Sequence, residues 1–201
     1  MPQHDIRICF FGDSFTNGTG DPTYLGWVGR VCARAADRGY PVTAYNLGIR
    51  RQTSVEIAER WPYELKQRLL PDVDQRLVFS FGVNDTTLEQ GKPRVALADT
   101  VQAAHRILAE ASRRFATLFI GPPPIAELAQ SERIQEVDQV LEKVAATYQV
   151  PYLSVFAHLV DAPIWTQQVA ANDGAHPQAE GYAQMATFID QWSGWWFHQT
   201  G

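Results

Sequence analysis

An α/β fold built on a parallel sheet is predicted by three features of the 201-residue chain. Short apolar runs alternate with longer segments of helical period, most of the short runs are almost continuously apolar, and glycine or proline marks the joints. Alternation of this kind lets each strand be followed by a helix that crosses back over the sheet. A nearly unbroken apolar run is what a strand needs when helices cover both of its faces.

Taken in order, the strands are expected at residues 6–11, 42–46, 77–81, 117–120 and 151–153. Helical periodicity runs through 26–38, 54–70, 94–114, 132–149 and 178–192. The stops are Gly39 after the first helix, Pro71 after the second and Gly121-Pro122-Pro123-Pro124 after the fourth strand. No repeat, low-complexity tract or linker divides the chain, so residues 1–201 are expected to form a single domain. Right-handed crossovers then give an open, doubly wound sheet, and such sheets bind ligands beyond the carboxyl ends of their strands. Functional residues should therefore sit just after strands.

Composition narrows the function classes. Hydrophobic residues are 45% and charged residues 19%, an ordinary globular balance, with a net charge of −5. The acidic balance argues against a nucleic-acid partner, which would need a basic face to neutralise phosphates. Cys9 and Cys32 lie in apolar surroundings and read as small core residues of a reducing compartment, without a disulfide. Residues 1–5 are too short for the apolar region of a secretory leader, and nothing approaches the ~20 consecutive apolar residues of a membrane span. A cytoplasmic location is the expectation.

The first strand runs into Gly12-Asp13-Ser14-Phe15-Thr16. Ser14 falls immediately past a strand end, where it can present its hydroxyl and its own N–H to a ligand; a turn or helix-cap serine is the equally weighted alternative. Gly48 follows the second strand, where a residue without a side chain can bring a backbone N–H close to a substrate oxygen or simply make a tight turn. After the third strand comes Gly82-Val83-Asn84-Asp85. The Asn84 amide is a donor suited to a developing oxyanion, and an Asx turn is the plainer reading. Asp85 is expected to serve that turn or to cap a backbone donor.

The stretch Asp173-Gly174-Ala175-His176-Pro177 precedes the last helix. Histidine is the usual general base at neutral pH and needs a carboxylate to fix its tautomer. The spacing lets Asp173 reach one ring nitrogen of His176 while the other faces outward. Pro177 is expected in the first turn of the helix, restraining His176. His4, His105, His158 and His198 are expected to be structural or solvent-facing.

Together, Gly12-Asp13-Ser14, Gly48, Gly82-Val83-Asn84-Asp85 and Asp173-x-x-His176 resemble the SGNH or GDSL-type serine hydrolases, an esterase and lipase family. The four blocks stand in that family's order and span nearly the whole chain. The resemblance implies a flavodoxin-like three-layer αβα sandwich with a parallel sheet of about five strands in order 2-1-3-4-5. It implies a carboxylic ester, thioester or O-acetyl group of a small or lipid-like substrate, cleaved through an acyl-enzyme. Ser14 would be the nucleophile, His176 the base and Asp173 its orienter. The oxyanion hole would be the Ser14 N–H, the Gly48 N–H and the Asn84 amide, with no metal or organic cofactor. The sequence departs from the pattern at Phe15, where many members carry leucine, and at Arg50 and Arg51, where small residues often follow the glycine.

Specificity is expected from the loops 17–27, 49–53, 86–93, 122–129 and 156–172. Within or beside them, Asp13, Arg50, Arg51 and Trp165 are the candidates for substrate contact. The arginines would clamp an anionic group or, the favoured reading for at least one of them, form a solvated pair on the following turn, and Trp165 would form an acyl wall or pack under the last helix. The aromatic segment 192–197 is expected to dock onto the helices, with a homodimer interface as the alternative. A flavin- or phosphate-binding flavodoxin-like protein is the leading rival, since residues 14–20 are rich in Ser, Thr and Gly. That rival leaves Asp173 and His176 without a purpose. A non-catalytic ligand-binding module on the same fold is the other alternative.

Overall fold

The structure, a computed structural model, describes residues 5–198. His4 lies outside the described residues. Five parallel strands form the central sheet: β1 (Ile6–Gly12), β2 (Val42–Gly48), β3 (Asp74–Ser80), β6 (Ala116–Ile120) and β7 (Tyr152–Leu153), in the order β2-β1-β3-β6-β7. Counted along the chain these are sheet strands 2-1-3-4-5, the expected order. Between them lies a hairpin of β4 (Leu88–Glu89) and β5 (Lys92–Pro93), antiparallel and separate from the sheet.

The strand sequences explain the layers. In β1, Ile8 and Phe10 face one core while Cys9 and Phe11 face the other, the alternation a pleated strand imposes. The first core is closed by α2 (Gly26–Asp37) and α8 (Ala179–Gln191), with Trp27, Val31, Tyr182, Met185 and Ile189 buried against the sheet. On the other face stand α3 (Ser54–Lys66), α4 (Leu97–Arg114) and most of α5 (Leu128–Thr147), contributing Trp61, Ile107, Leu108 and Leu141. β2 is one of the two edge strands and is only partly covered.

Several boundaries differ from the sequence reading. β3 begins three residues early, at Asp74, because Ile6 pairs with Asp74 and the Arg76–Asp74 ion pair spans the polar strand start. α4 begins at Leu97 because the Arg94 and Val95 N–H groups are held by Thr87 O and Asp85 O. The hairpin was not anticipated; Gln90 and Gly91 both have positive φ (53° and 79°), as a two-residue turn between right-twisted strands requires. The segment read as a loop at 156–172 contains α6 (Val155–Leu159) and α7 (Pro163–Ala171), each too short to show a period. A single turn, α1 (Ser14–Asn17), follows β1.

The aromatic C-terminal segment docks onto the fold. Trp195 and Phe197 are buried, Arg38 donates to Phe197 O and to the Asp190 carboxylate, and the Arg76 guanidinium lies over the Trp196 and Phe197 rings. Cys9 and Cys32 are free thiols, which burial pushes up to about 11 and about 12. His105 pairs with the Tyr148 hydroxyl, His158 stacks on Phe188 and His198 contacts Trp195 O. Among the described residues, no helix is long and apolar enough to cross a membrane.

Candidate active site

Register gathers the site. Gly12 pairs with Gly48 on one side and with Ser80 on the other. The three strands therefore end level, and the loops beginning at Asp13, Ile49 and Phe81 emerge side by side.

At the end of β1, Asp13 caps α1: its Oδ1 accepts the Phe15 N–H at 2.9 Å. This cap turns the chain so that Ser14 stands at the head of α1, with its side chain 4% exposed. From the opposite edge comes the loop before α8. Gly174 has φ +81°, a conformation that favours glycine, and it bends the chain so that Asp173 Oδ1 accepts the N–H groups of Ala175 and His176. The loop is fastened at both sides, by Ala126 N–H to Gly174 O and by the Asn172 amide to His176 O. Pro177 stands one residue before the N-cap Gln178, outside the first turn where the sequence placed it.

The result is a continuous relay. His176 Nδ1 lies 2.7 Å from Asp173 Oδ2, and His176 Nε2 lies 2.7 Å from Ser14 Oγ. Burial pushes the Asp173 carboxyl up, but the N–H and ring of His176 with the Ala175 N–H outweigh it and hold the group down at about 2. An ionised carboxylate on Nδ1 keeps the proton there, leaving Nε2 as the acceptor for the Ser14 hydroxyl. The His176 side chain is 9% exposed and its ring rests against Phe15, with centroids 4.8 Å apart.

The expected oxyanion donors sit around Ser14 with acceptors of their own. The Gly48 N–H points to Asn46 Oδ1 at 3.1 Å. The Asn84 amide donates to Gln52 O at 3.0 Å and to Asp13 Oδ2 at 3.2 Å. A cluster behind it fixes the Asn84 turn: Asp85 accepts from the Ser54 N–H and hydroxyl and from the Thr100 hydroxyl, the capping role expected of it. Gln52 and Asn46 were not singled out in the sequence. Each acts through an atom that carries no motif, in Gln52 the backbone carbonyl.

The four substrate-contact candidates do not gather at one surface. Asp13 is 2% exposed, and its carboxylate is occupied by Phe15 N–H and the Asn84 amide, which makes it a brace behind the site. Burial pushes its carboxyl up to about 7, with the Phe15 N–H opposing and the charge of Asp85 adding to the rise. Trp165 is buried too: it stacks on Phe15, meets Tyr182 edge-on and donates its indole N–H to Pro124 O, so packing prevails over an open wall. Its rim borders an apolar recess of about 260 Å³ with Ile125, Leu128, Val160 and Val169. Arg51 is exposed and reaches towards Glu89, while its carbonyl receives Arg94; Arg50 is exposed. Among the described residues, no group of three His, Cys, Asp or Glu side chains is placed to hold a metal ion.

Comparison with known proteins adds a family. The model of the GDSL-like lipase/acylhydrolase family matches residues 10–184. No curated protein matches the sequence. Among solved structures, a lipase/acylhydrolase from Enterococcus faecalis is 23% identical, with 91% of this chain and 92% of that one covered at a TM-score of 0.74. The acetylxylan esterase from Geobacillus stearothermophilus is 16% identical over 100% of both chains, at a TM-score of 0.77. A lipolytic protein of the G-D-S-L family from Veillonella parvula is 20% identical over 90% of this chain and 94% of that one, at 0.72. At these identities the likeness is one of fold.

Proposed function

We propose, from the premise that this chain belongs to the GDSL-like lipase/acylhydrolase family and is an ester-hydrolysing enzyme, that it works through an acyl-enzyme formed on Ser14. The observation that carries the proposal is the unbroken relay of 2.7 Å contacts from Asp173 through His176 to Ser14 Oγ.

A serine hydroxyl is a weak nucleophile at its free pKa, so His176 Nε2 takes its proton as Oγ attacks the ester carbonyl. Asp173 holds the ring in the productive tautomer and stabilises the imidazolium. Charge then collects on the carbonyl oxygen, where the N–H groups of Ser14 and Gly48 and the Asn84 amide supply donors. The contacts that Gly48 and Asn84 make at 3.0–3.2 Å hold these groups in place, and an arriving oxyanion shares them or displaces the longer ones. His176 returns its proton to the leaving alcohol, and water repeats the cycle on the acyl group. A flavodoxin-like phosphate site would leave this relay without a task.

The substrate proposed is a carboxylic ester of a small or lipid-like molecule, with thioesters and O-acetyl groups as the other arms of the same chemistry. The test is hydrolysis of p-nitrophenyl acetate by wild type and Ser14→Ala, followed by a series of acyl lengths, acetylated xylo-oligosaccharides and acyl-thioesters. Ser14→Ala should lose more than about 10³ in kcat while remaining folded. Near-wild-type turnover by that variant refutes the acyl-enzyme, and no turnover of any ester, thioester or acetylated sugar in the series refutes the substrate class.

A further inference from the structure

We infer that Arg60 is a positioning residue for the oxyanion hole, holding the peptide that carries the Gly48 N–H and, through Gln52, the amide of Asn84. The inference rests on the acyl-enzyme reading above and concerns how its donors are kept in place.

Arg60 projects from the middle of α3, and its side chain is 14% exposed. Its guanidinium is spread over four acceptors. Nη2 donates to Leu47 O at 2.8 Å and to Gly12 O at 3.0 Å, Nη1 to Glu64 Oε1 at 2.7 Å, and Nε to Gln52 Oε1. The Phe11 ring lies 5.9 Å from its centre. An i,i+4 partner such as Glu64 is common for an arginine on a helix surface. Two main-chain carbonyls at the carboxyl ends of adjacent strands are not, and they are the ones that matter for the chemistry.

Leu47 C=O and Gly48 N–H belong to one peptide unit. The unit is planar, so fixing the direction of the oxygen fixes the direction of the hydrogen. A cation at the oxygen also draws electron density out of the amide and makes the N–H a stronger donor, as in any polarised hydrogen-bond chain. Gly12 C=O belongs to the peptide that leads into Asp13, two residues before Ser14 at the head of its turn. The third arm works at one remove: Arg60 fixes the Gln52 side chain, and the Gln52 carbonyl accepts the Asn84 amide at 3.0 Å. One side chain thus holds the peptide of the Gly48 donor directly, the Asn84 amide through Gln52, and the strand end one peptide ahead of the Ser14 N–H. A lysine offers a point charge in place of this planar fork and cannot span the four acceptors.

The test compares wild type, Arg60→Met and Arg60→Lys in kcat and KM for p-nitrophenyl acetate, alongside thermal midpoints and a cycle with Asn84→Ala. Arg60→Met is expected to lower kcat by about 10–100-fold, less than the loss of a donor itself, with KM moving by less than about threefold. Arg60→Lys should recover the thermal midpoint but only part of kcat. Combined with Asn84→Ala, the two losses should fall well short of multiplying, because both act on the same donors. A kcat for Arg60→Met within about twofold of wild type overturns the inference, and so do losses that track the folded fraction or multiply independently. Should Arg60→Met fail to fold, full kcat in Arg60→Lys overturns it. Ser14→Ala is the control for the underlying reading: near-wild-type hydrolysis there removes the acyl-enzyme, whereas a silent Arg60 beside an essential Ser14 removes only the positioning role.

Discussion

The Phe15 ring lies against the His176 imidazole, with centroids 4.8 Å apart and planes tilted by 35°. On its other side Phe15 stacks at 6.4 Å on Trp165, which in turn meets Tyr182 of α8. The residue beside the proposed nucleophile is therefore also the surface on which the proposed base rests. Truncation to Phe15→Ala should cost about 3–5 kcal/mol of stability and lower kcat more than KM, because His176 loses its backing. Phe15→Leu, which keeps a large apolar side chain against the ring, should retain most activity and cost less stability than Phe15→Ala. Urea unfolding beside steady-state kinetics measures both. Activity in Phe15→Ala matching that in Phe15→Leu would detach the packing from the chemistry.

The acid behind the proposed oxyanion amide gives a second expectation. Asp85 is buried and accepts three hydrogen bonds, from the Ser54 N–H, the Ser54 hydroxyl and the Thr100 hydroxyl. It thereby ties the first turns of α3 and α4 to the turn carrying Asn84. Asp85→Ala leaves these donors buried without an acceptor, at about 1–3 kcal/mol for each group stranded. A lowered thermal midpoint and a lowered kcat should appear together. A variant as stable as wild type would show that water or a shifted backbone satisfies the donors.

How much of this could be read from the chain depends on where the determinants lie. The five strands and the five long helices follow from apolar runs and periods, which are properties of contiguous residues, whereas the sheet order came only with the family resemblance. Ser14, Gly48, Asn84, Asp173 and His176 could be named because each occupies a strand-end or pre-helix loop in a recognisable block. Arg60 could not, since its partners Gly12, Leu47, Gln52 and Glu64 are scattered over the chain and it engages two of them through main-chain oxygens. Asp13 is a candidate for substrate contact in the sequence and burial places it behind the site, while burial of Trp165 favours the packing that stood beside the acyl wall as its alternative. α6 and α7 were hidden by their length, five and nine residues, too few for a 3.6-residue period to declare itself.

Gly48 shows a position where space, and not torsion, dictates the residue. A Cβ built there would stand 2.3 Å from Asn17 N and 2.7 Å from Asp13 O, both backbone atoms of the turn that holds Ser14. Gly48→Ala must therefore push α1 away from the end of β2. Turnover should drop by at least about 10², comparable to losing an oxyanion donor, with a smaller effect on the thermal midpoint. The measurement is kcat for p-nitrophenyl acetate in a variant whose circular dichroism matches wild type. Retained activity would mean that the turn yields without disturbing the nucleophile.

The pH dependence of stability should carry the mark of Asp13. Burial pushes its carboxyl from 3.8 up to about 7 in the folded state, and the neighbouring Asp85, itself pushed up by burial, adds to the rise. Below about pH 4 the group is protonated in both the folded and the unfolded chain, and its burial costs nothing electrostatic. Between pH 4 and 7 the unfolded chain releases the proton while the folded chain keeps it, so the folded state binds more protons and stability falls as pH rises. Above pH 7 the loss is complete. Asp173 acts with the opposite sign at lower pH, because its folded value of about 2 lies below 3.8; its contribution is present above pH 4 and lost towards pH 2. Asp13→Asn removes the titration and keeps one carbonyl acceptor for the Phe15 N–H. Urea denaturation from pH 4 to 7.5 should therefore show wild type losing stability relative to Asp13→Asn as pH rises, with Asp85 sustaining a residual slope in both. Parallel curves would mean that Asp13 is ionised throughout this range, stabilised by the Phe15 N–H and the Asn84 amide more strongly than burial opposes it.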